Sequence, residues 1–250
     1  MKVLIIGDSC EDHYIYCSSE RFCPDAPVPV LNPVKKIKSM GMAGNVADNI
    51  RSLGAEVDIL SNIEKIKKIR YVHERTNHMF IRIDEGEDKI NRCLFGNIDW
   101  NQYDAIIISD YCKGFLVEED IDYISKQHPL TFLDTKKQLG SFADNITFIK
   151  INDIEYNKTK LSITPILEEK LIITLGSKGA TYKENTYIVD EVDVRDTSGA
   201  GDTFLAGLAY GYIKTKDIDI AIKLANDCAS QVVQKKGTAK INKNKLKYEI

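Results

Sequence analysis

Asp196-Thr197-Ser198-Gly199-Ala200-Gly201-Asp202-Thr203-Phe204 is the stretch on which the reading of this chain turns. Small residues at 198–201 lead into an apolar run, 204–213, that reads as a helix. A backbone free of bulky side chains at a helix N-terminus can aim several N–H groups at one anion. The carboxylate of Asp202 falls in the same place, where charge repulsion makes it a poor phosphate ligand. The economical reading is a general base. It would take a proton from a hydroxyl that attacks a phosphoryl group held by the amides of Gly199, Ala200 and Gly201. A helix N-cap is the competing structural reading of the same aspartate.

Around this motif, short apolar runs alternate with helical patterns. Residues 3–6, 57–60, 105–109, 131–133, 147–149 and 171–174 read as buried strands, and 44–53, 118–127, 204–213 and 218–235 as helices. Such alternation predicts an α/β fold with a mostly parallel sheet covered on both faces, with ligands at the carboxyl ends of the strands. Two segments break the rhythm. Residues 14–38 hold Pro24, Pro27, Pro29 and Pro33, and 69–95 alternate polar and apolar residues, as in Met79-Phe80-Ile81-Arg82-Ile83-Asp84. Both read as antiparallel strands with one wet face, forming a small β-lid on a single domain spanning 1–250.

Composition narrows the classes. The 250 residues are 43% hydrophobic and 28% charged, enough for one sizeable core, and the net charge of -3 argues against a nucleic-acid surface. The lysines of 235–247 carry no interleaved aromatics and read as a solvated face. No apolar run approaches the about 20 residues that span a bilayer. The four-residue apolar start at 3–6 turns acidic at Asp8, Glu11 and Asp12, which is a strand rather than a leader. Six cysteines without a C-x-x-C pair read as reduced packing residues, so a cytoplasmic protein is expected.

Three further constellations carry chemistry. Gly41-Met42-Ala43-Gly44-Asn45 enters a helix with Asn45 and Asn49 one turn apart. Ser109-Asp110-Tyr111-Cys112-Lys113-Gly114 and Thr174-Leu175-Gly176-Ser177-Lys178-Gly179 each follow a buried strand. With the opening stretch, these motifs resemble the ribokinase-type (PfkB) family of small-molecule kinases. Residues 196–204 match its signature D-T-x-G-A-G-D-x-F, residues 41–45 match its N-terminal glycine signature, and the resemblance runs from Val3 to about Gly237. Within the family, Glu20-Arg21-Phe22-Cys23-Pro24-Asp25-Ala26-Pro27-Val28-Pro29-Val30 is similar to a stretch of the D-glycero-β-D-manno-heptose 7-phosphate kinases. Those form the kinase half of a bifunctional kinase/adenylyltransferase, and the nucleotidyltransferase half is not expected here.

The resemblance implies a ribokinase-like three-layer sandwich and an ATP- and Mg²⁺-dependent sugar kinase. Asp202 falls on the family's catalytic base, and Gly199, Ala200 and Gly201 on its anion hole. Asn152 and Glu155 fall on its N-x-x-E motif, with Glu155 organising magnesium; a plain helix start is the alternative. Thr174, Gly176 and Gly179 fall on the nucleotide phosphate and ribose contacts, and Asn226 near the adenine. On the acceptor side fall Asp8, Asp12, Gly41, Gly44, Asn45, Arg82, Asp110 and Lys113. An acceptor phosphate would need cations, for which Arg70, Arg82, Lys113 and Lys136 are the candidates. A homodimer through the lid is expected, with no nucleic-acid or membrane partner. Two departures stand out. Met42 replaces the second of two adjacent glycines, and a helix and strand that the family carries between Ile63 and Ile69 are missing. The 157–171 connection is shortened as well. Another sugar, sugar phosphate or nucleoside as acceptor, or a non-catalytic binding homologue, is the alternative reading.

Overall fold

The computed structural model describes residues 1–248. Its main sheet has eight strands: β1 (Lys2–Gly7), β4 (Glu56–Ser61), β7 (Ala105–Asp110), β8 (Thr131–Thr135), β9 (Phe148–Asn152), β10 (Leu171–Thr174), β11 (Ala180–Tyr182) and β12 (Asn185–Tyr187). They lie in the order β12-β11-β10-β9-β8-β7-β1-β4. The strands from β4 to β10 run parallel, and the β11–β12 hairpin closes one edge antiparallel.

Alternation within the strands splits the core in two. Val3 and Ile5 point to one face and join Ile107, Phe132, Val46, Leu205 and Ile222, whereas Leu4 and Ile6 point to the other and join Ile108, Leu133, Ile121 and Ile124. The first face carries helices α1 (Ala43–Ser52), α5 (Ala200–Thr215) and α6 (Ile218–Val233); α2 (Glu118–Ser125) covers the second. Two short helices, α3 (Asp153–Thr159) and α4 (Pro165–Glu168), link β9 to β10.

The lid is a second sheet of β2 (Ser9–Ser18), β3 (Asn32–Met42), β5 (Ile66–His73) and β6 (Met79–Glu85), in the order β3-β2-β5-β6. It differs from the expected lid in two ways. Its strands reach back to Ser9 and forward to Met42, because the chain passes from β1 through Asp8 straight into β2 and from β3 straight into α1. The central pair β2–β5 is parallel, and only its flanks are antiparallel. Where the family resemblance leads one to expect a further helix and strand, residues 62–65 alone connect β4 to β5, leaving β4 as an edge strand paired with β1. Among the described residues, no helix is long and apolar enough to cross a membrane.

Candidate active site

The first turn of α5 begins one residue after the signature's first glycine. Gly199 is the N-cap, in the left-handed region at φ 78°, and a Cβ there would lie 2.5 Å from Asn45 Nδ2. Both the turn and the close approach require glycine. The first N–H groups of a helix have no partners within it; Ala200 N donates to the Thr197 carbonyl at 3.2 Å, so among the described residues the Gly201 and Asp202 amides are the free donors at the positive end of the helix dipole. Beneath it lies Lys150. A Cβ on Gly201 would sit 2.9 Å from the Lys150 ammonium, which pairs with buried Asp134 at 2.7 Å.

Asp202 stands in that first turn, 3% exposed. Asn45 Nδ2 donates to Oδ2 at 3.0 Å and Tyr111 Oη donates to Oδ1 at 2.6 Å. Burial pushes its carboxyl up from 3.8 to about 6, against the pull of those two hydrogen bonds. Asn45 is held in turn by Asn49, whose Nδ2 donates to Asn45 Oδ1 at 3.0 Å and also reaches Thr203 Oγ1. The paired asparagines of α1 therefore brace the start of α5.

On one side of this turn a cleft of about 610 Å³ opens between β10, the 189–197 loop and α6. Thr174, Gly176, Gly179, Ala200, Gly201 and Asn226 line it, which brings together four of the residues expected on the nucleotide side with two of the turn, while Asn152 and Glu155 are not in its lining. Asn226 Nδ2 donates to the Tyr187 carbonyl at 2.9 Å, so its amide is tied to the cleft wall.

Asn152 and Glu155 form a capping box at the start of α3: Glu155 N donates to Asn152 Oδ1 and Asn152 N to Glu155 Oε2, each at 2.8 Å. The other Glu155 oxygen accepts from Lys136. No group of three or more potential metal ligands occurs among the described residues. Magnesium in ATP sites is held by one or two carboxylates plus phosphate oxygens and water, so this donor set fits an ion that arrives on the nucleotide.

The acceptor-side residues fall into two groups. Asp12, Gly41, Gly44 and Asn45 come together near Asp202, where the lid meets α1. Asp12 is buried, with Arg70 Nη1 at 2.5 Å from Oδ1 and Thr238 Oγ1 donating to Oδ2 at 3.2 Å. The other residues are engaged in the frame. Asp8 is fully buried, and its Oδ2 accepts from the Tyr111 and Lys113 amides; burial raises its carboxyl above the ordinary range. Asp110 takes Lys137 at 2.7 Å. Arg82 pairs with Asp84 and Lys113 with Glu87. Met42 lies at φ 57°, a conformation that favours glycine, with its side chain buried among Cys10, Ile66, Ile90 and Tyr111.

Four contributors carry no role in the sequence reading. Tyr111 sits inside a motif but was given no function. Asp134 and Lys150 face each other in the β8–β9 register. Burial alone would push the Asp134 carboxyl up, but Lys150 and Lys136 override it and hold it below the ordinary range. The available signal was a lysine between Ile149 and Ile151 in a buried strand, which demands a partner. Lys68 on β5 lies 5.5 Å from the Tyr111 ring.

The pattern of this site has relatives. A family model described as "pfkB family carbohydrate kinase" matches residues 71–245. The chain belongs to the pfkB family of carbohydrate kinases. This makes it a phosphotransferase with an alcohol acceptor. The pfkB chain is 30% identical over 295 aligned positions to "Bifunctional protein HldE" of Helicobacter acinonychis, covering 95% of this chain and 64% of that one. It is 31% identical over 297 positions to the HldE of Aliarcobacter butzleri, covering 95% and 62%. It thus spans less than two thirds of these relatives, and the alignments are longer than its 250 residues, as expected where segments are shortened. Among solved structures it is similar to the Methanocaldococcus jannaschii nucleoside kinase of the ribokinase family (TM-score 0.67, 19% identity, 95% and 93% coverage). It is also similar to the Thermotoga maritima ribokinase (TM-score 0.69, 14% identity, 94% of each chain). These likenesses show the ribokinase-like α/β fold.

Proposed function

We propose that this pfkB kinase transfers the γ-phosphoryl group of ATP to a sugar hydroxyl, with a heptose phosphate as the acceptor and its anomeric oxygen as the site. The observation that carries the reading is Asp202: a buried carboxylate in the first turn of α5, flanked by the small residues 199–201 and adjoining the 610 Å³ cleft. ATP occupies that cleft with its phosphates toward the α5 N-terminus. The free amides of the first turn and the Lys150 ammonium then face the negative charge that builds on the transferring group. Magnesium, brought by the nucleotide and organised by Glu155, would supply further charge neutralisation. Asp202 takes the acceptor's proton.

The acceptor lies between Asp202 and the lid, near Asp12, Gly41, Gly44 and Asn45. The heptose assignment rests on the HldE likeness and on the stretch 20–30. A homodimer through the lid is part of the same reading, because β6 is an edge strand that exposes Met79, Ile81 and Ile83 on one face. The test is transfer from labelled ATP to a panel of heptose, hexose and pentose phosphates. Asp202→Asn should bind ATP and lose transfer by about 10²–10⁴-fold. Near-normal turnover in that variant removes Asp202 from the base role, and turnover on no acceptor by the unaltered chain favours a binding homologue.

A further inference from the structure

The base of the proposed reaction already holds a hydroxyl. Tyr111 Oη donates to Asp202 Oδ1 at 2.6 Å while Asn45 occupies Oδ2. With Asp202 3% exposed, a third donor has no open face. A general base must lie within about 2.6–3.2 Å of the hydroxyl it deprotonates, and here that place is taken by a side chain of the protein.

The Tyr111 ring is held on other sides. It packs against the cluster of Cys10, Met42 and Ile66, with the ammonium of Lys136 5.0 Å and that of Lys68 5.5 Å from its centroid. The two lysines differ. Lys136 is committed to Asp134 and Glu155. The Lys68 ammonium, among the described residues, has no ion-pair or hydrogen-bond partner and lies against the Tyr111 ring. It is therefore the cation that an incoming anion draws away without breaking an ion pair. The main chain is less free to follow: Tyr111 N donates to Asp8 Oδ2 at 2.7 Å, and Lys113 N donates to the same oxygen at 3.3 Å. Rotation of the Tyr111 side chain over a fixed backbone is the movement that remains.

We propose that Tyr111 is an internal cover of the base: its hydroxyl holds the acceptor position at Asp202, and an acceptor carrying a phosphate displaces it by drawing Lys68 off its ring. The inference rests on the kinase reading with its phosphorylated acceptor and adds an acceptor-triggered step. While covered, Asp202 has no water to activate, so bound ATP is spared. Once Tyr111 leaves, the acceptor hydroxyl gives its proton to Oδ1, its oxygen bonds to the γ-phosphorus, and the bond from that phosphorus to the β,γ-bridging oxygen breaks to release ADP.

Tyr111→Phe keeps the ring and removes the competing hydroxyl. Binding of D-glycero-D-manno-heptose 7-phosphate and of other sugar phosphates is measured by calorimetry with a non-hydrolysable ATP analogue present. The variant should bind about tenfold tighter, since no hydrogen bond to a charged group has to be broken first. In turnover its acceptor KM should fall with kcat retained, and acceptor-free ATP hydrolysis should rise. Lys68→Met should weaken binding of the phosphorylated sugar and leave that of the unphosphorylated heptose unchanged. Equal or weaker binding in Tyr111→Phe overturns the cover, and so does binding of no sugar phosphate by either protein. A lower kcat at unchanged KM also overturns it and makes Tyr111 a fixed support of the base. Failure of the kinase reading looks different: the binding gain appears, yet the unaltered chain transfers phosphate to none of the sugars.

Discussion

Replacing Asp202 by asparagine should stabilise the fold while it abolishes transfer. Burial moves the Asp202 carboxyl from 3.8 to about 6, which means that its ionised form costs the folded state about 3 kcal/mol at neutral pH. Asparagine resembles the protonated acid. Its oxygen can accept from Asn45 Nδ2, and its amide can donate to the Tyr111 oxygen, so neither neighbour is left unpaired. If about 2 kcal/mol of the cost is recovered, the melting temperature rises by about 4–8 °C for a chain of this size. The size of the effect depends on pH. The folded state binds this proton more tightly than the unfolded chain, so the cost is absent below pH 3.8, grows between 3.8 and about 6, and is constant above. Urea unfolding of both proteins near neutral pH and again between those two values measures it. The advantage of Asp202→Asn should be full in the first condition and reduced in the second. A variant less stable than its parent at neutral pH, or a gap that ignores pH, refutes the reasoning.

Three more outcomes follow from the same site. The kcat/KM of transfer should fall about tenfold per pH unit below about 6 as Asp202 of the free enzyme takes up its proton, and a profile that stays flat through pH 5 would exclude it as the base. Lys150→Met leaves Asp134, 1% exposed, with only Lys136 at 3.6 Å, and should cost about 3–5 kcal/mol in urea unfolding; adding Asp134→Asn should restore most of it. Gly201→Ala places a methyl group 2.9 Å from a Lys150 ammonium already pinned by Asp134. It should lower kcat by about tenfold or more with little change in melting temperature, because the reacting groups are displaced while the core is untouched.

The turns around the candidate nucleotide cleft were legible because their features are written in backbone. A left-handed N-cap at 199 and glycines after β10 leave a signature in single residues, and periodicity placed β1, β4, β7 and β10 within a residue or two of their observed ends. The N-x-x-E motif opens α3 as a capping box, which is the plain helix start that the sequence offered as its alternative reading. What sequence did not reveal are pairings between distant elements. Asp134 with Lys150, Asp12 with Arg70 and Thr238, and Tyr111 with Asp202 join residues 16 to 226 positions apart. A lysine in β9 or a tyrosine in a turn says that a partner is needed without saying which. The parallel β2–β5 pair was missed for a related reason: alternation reports which face of a strand is wet, not the direction of its neighbour.

Specificity on the acceptor side then becomes a question of which existing pairs give way. Each of the four cations expected to hold an acceptor phosphate already has a carboxylate: Arg70 has Asp12, Arg82 has Asp84, Lys113 has Glu87, and Lys136 has Asp134 and Glu155. A phosphate that recruits any of them must first release a carboxylate, and for the buried Arg70–Asp12 pair that release strands a charge out of water. Lys68 carries no such penalty, and it stands in register with Asp12 on β2 and Asp84 on β6. Among the described residues, Lys68 is thus the unpaired ammonium that lies against the Tyr111 ring, whereas Lys136 on the same ring is neutralised. That arrangement favours an acceptor whose phosphate reaches Lys68 while one of its hydroxyls reaches Asp202, and the Tyr111 ring is the side chain that touches both.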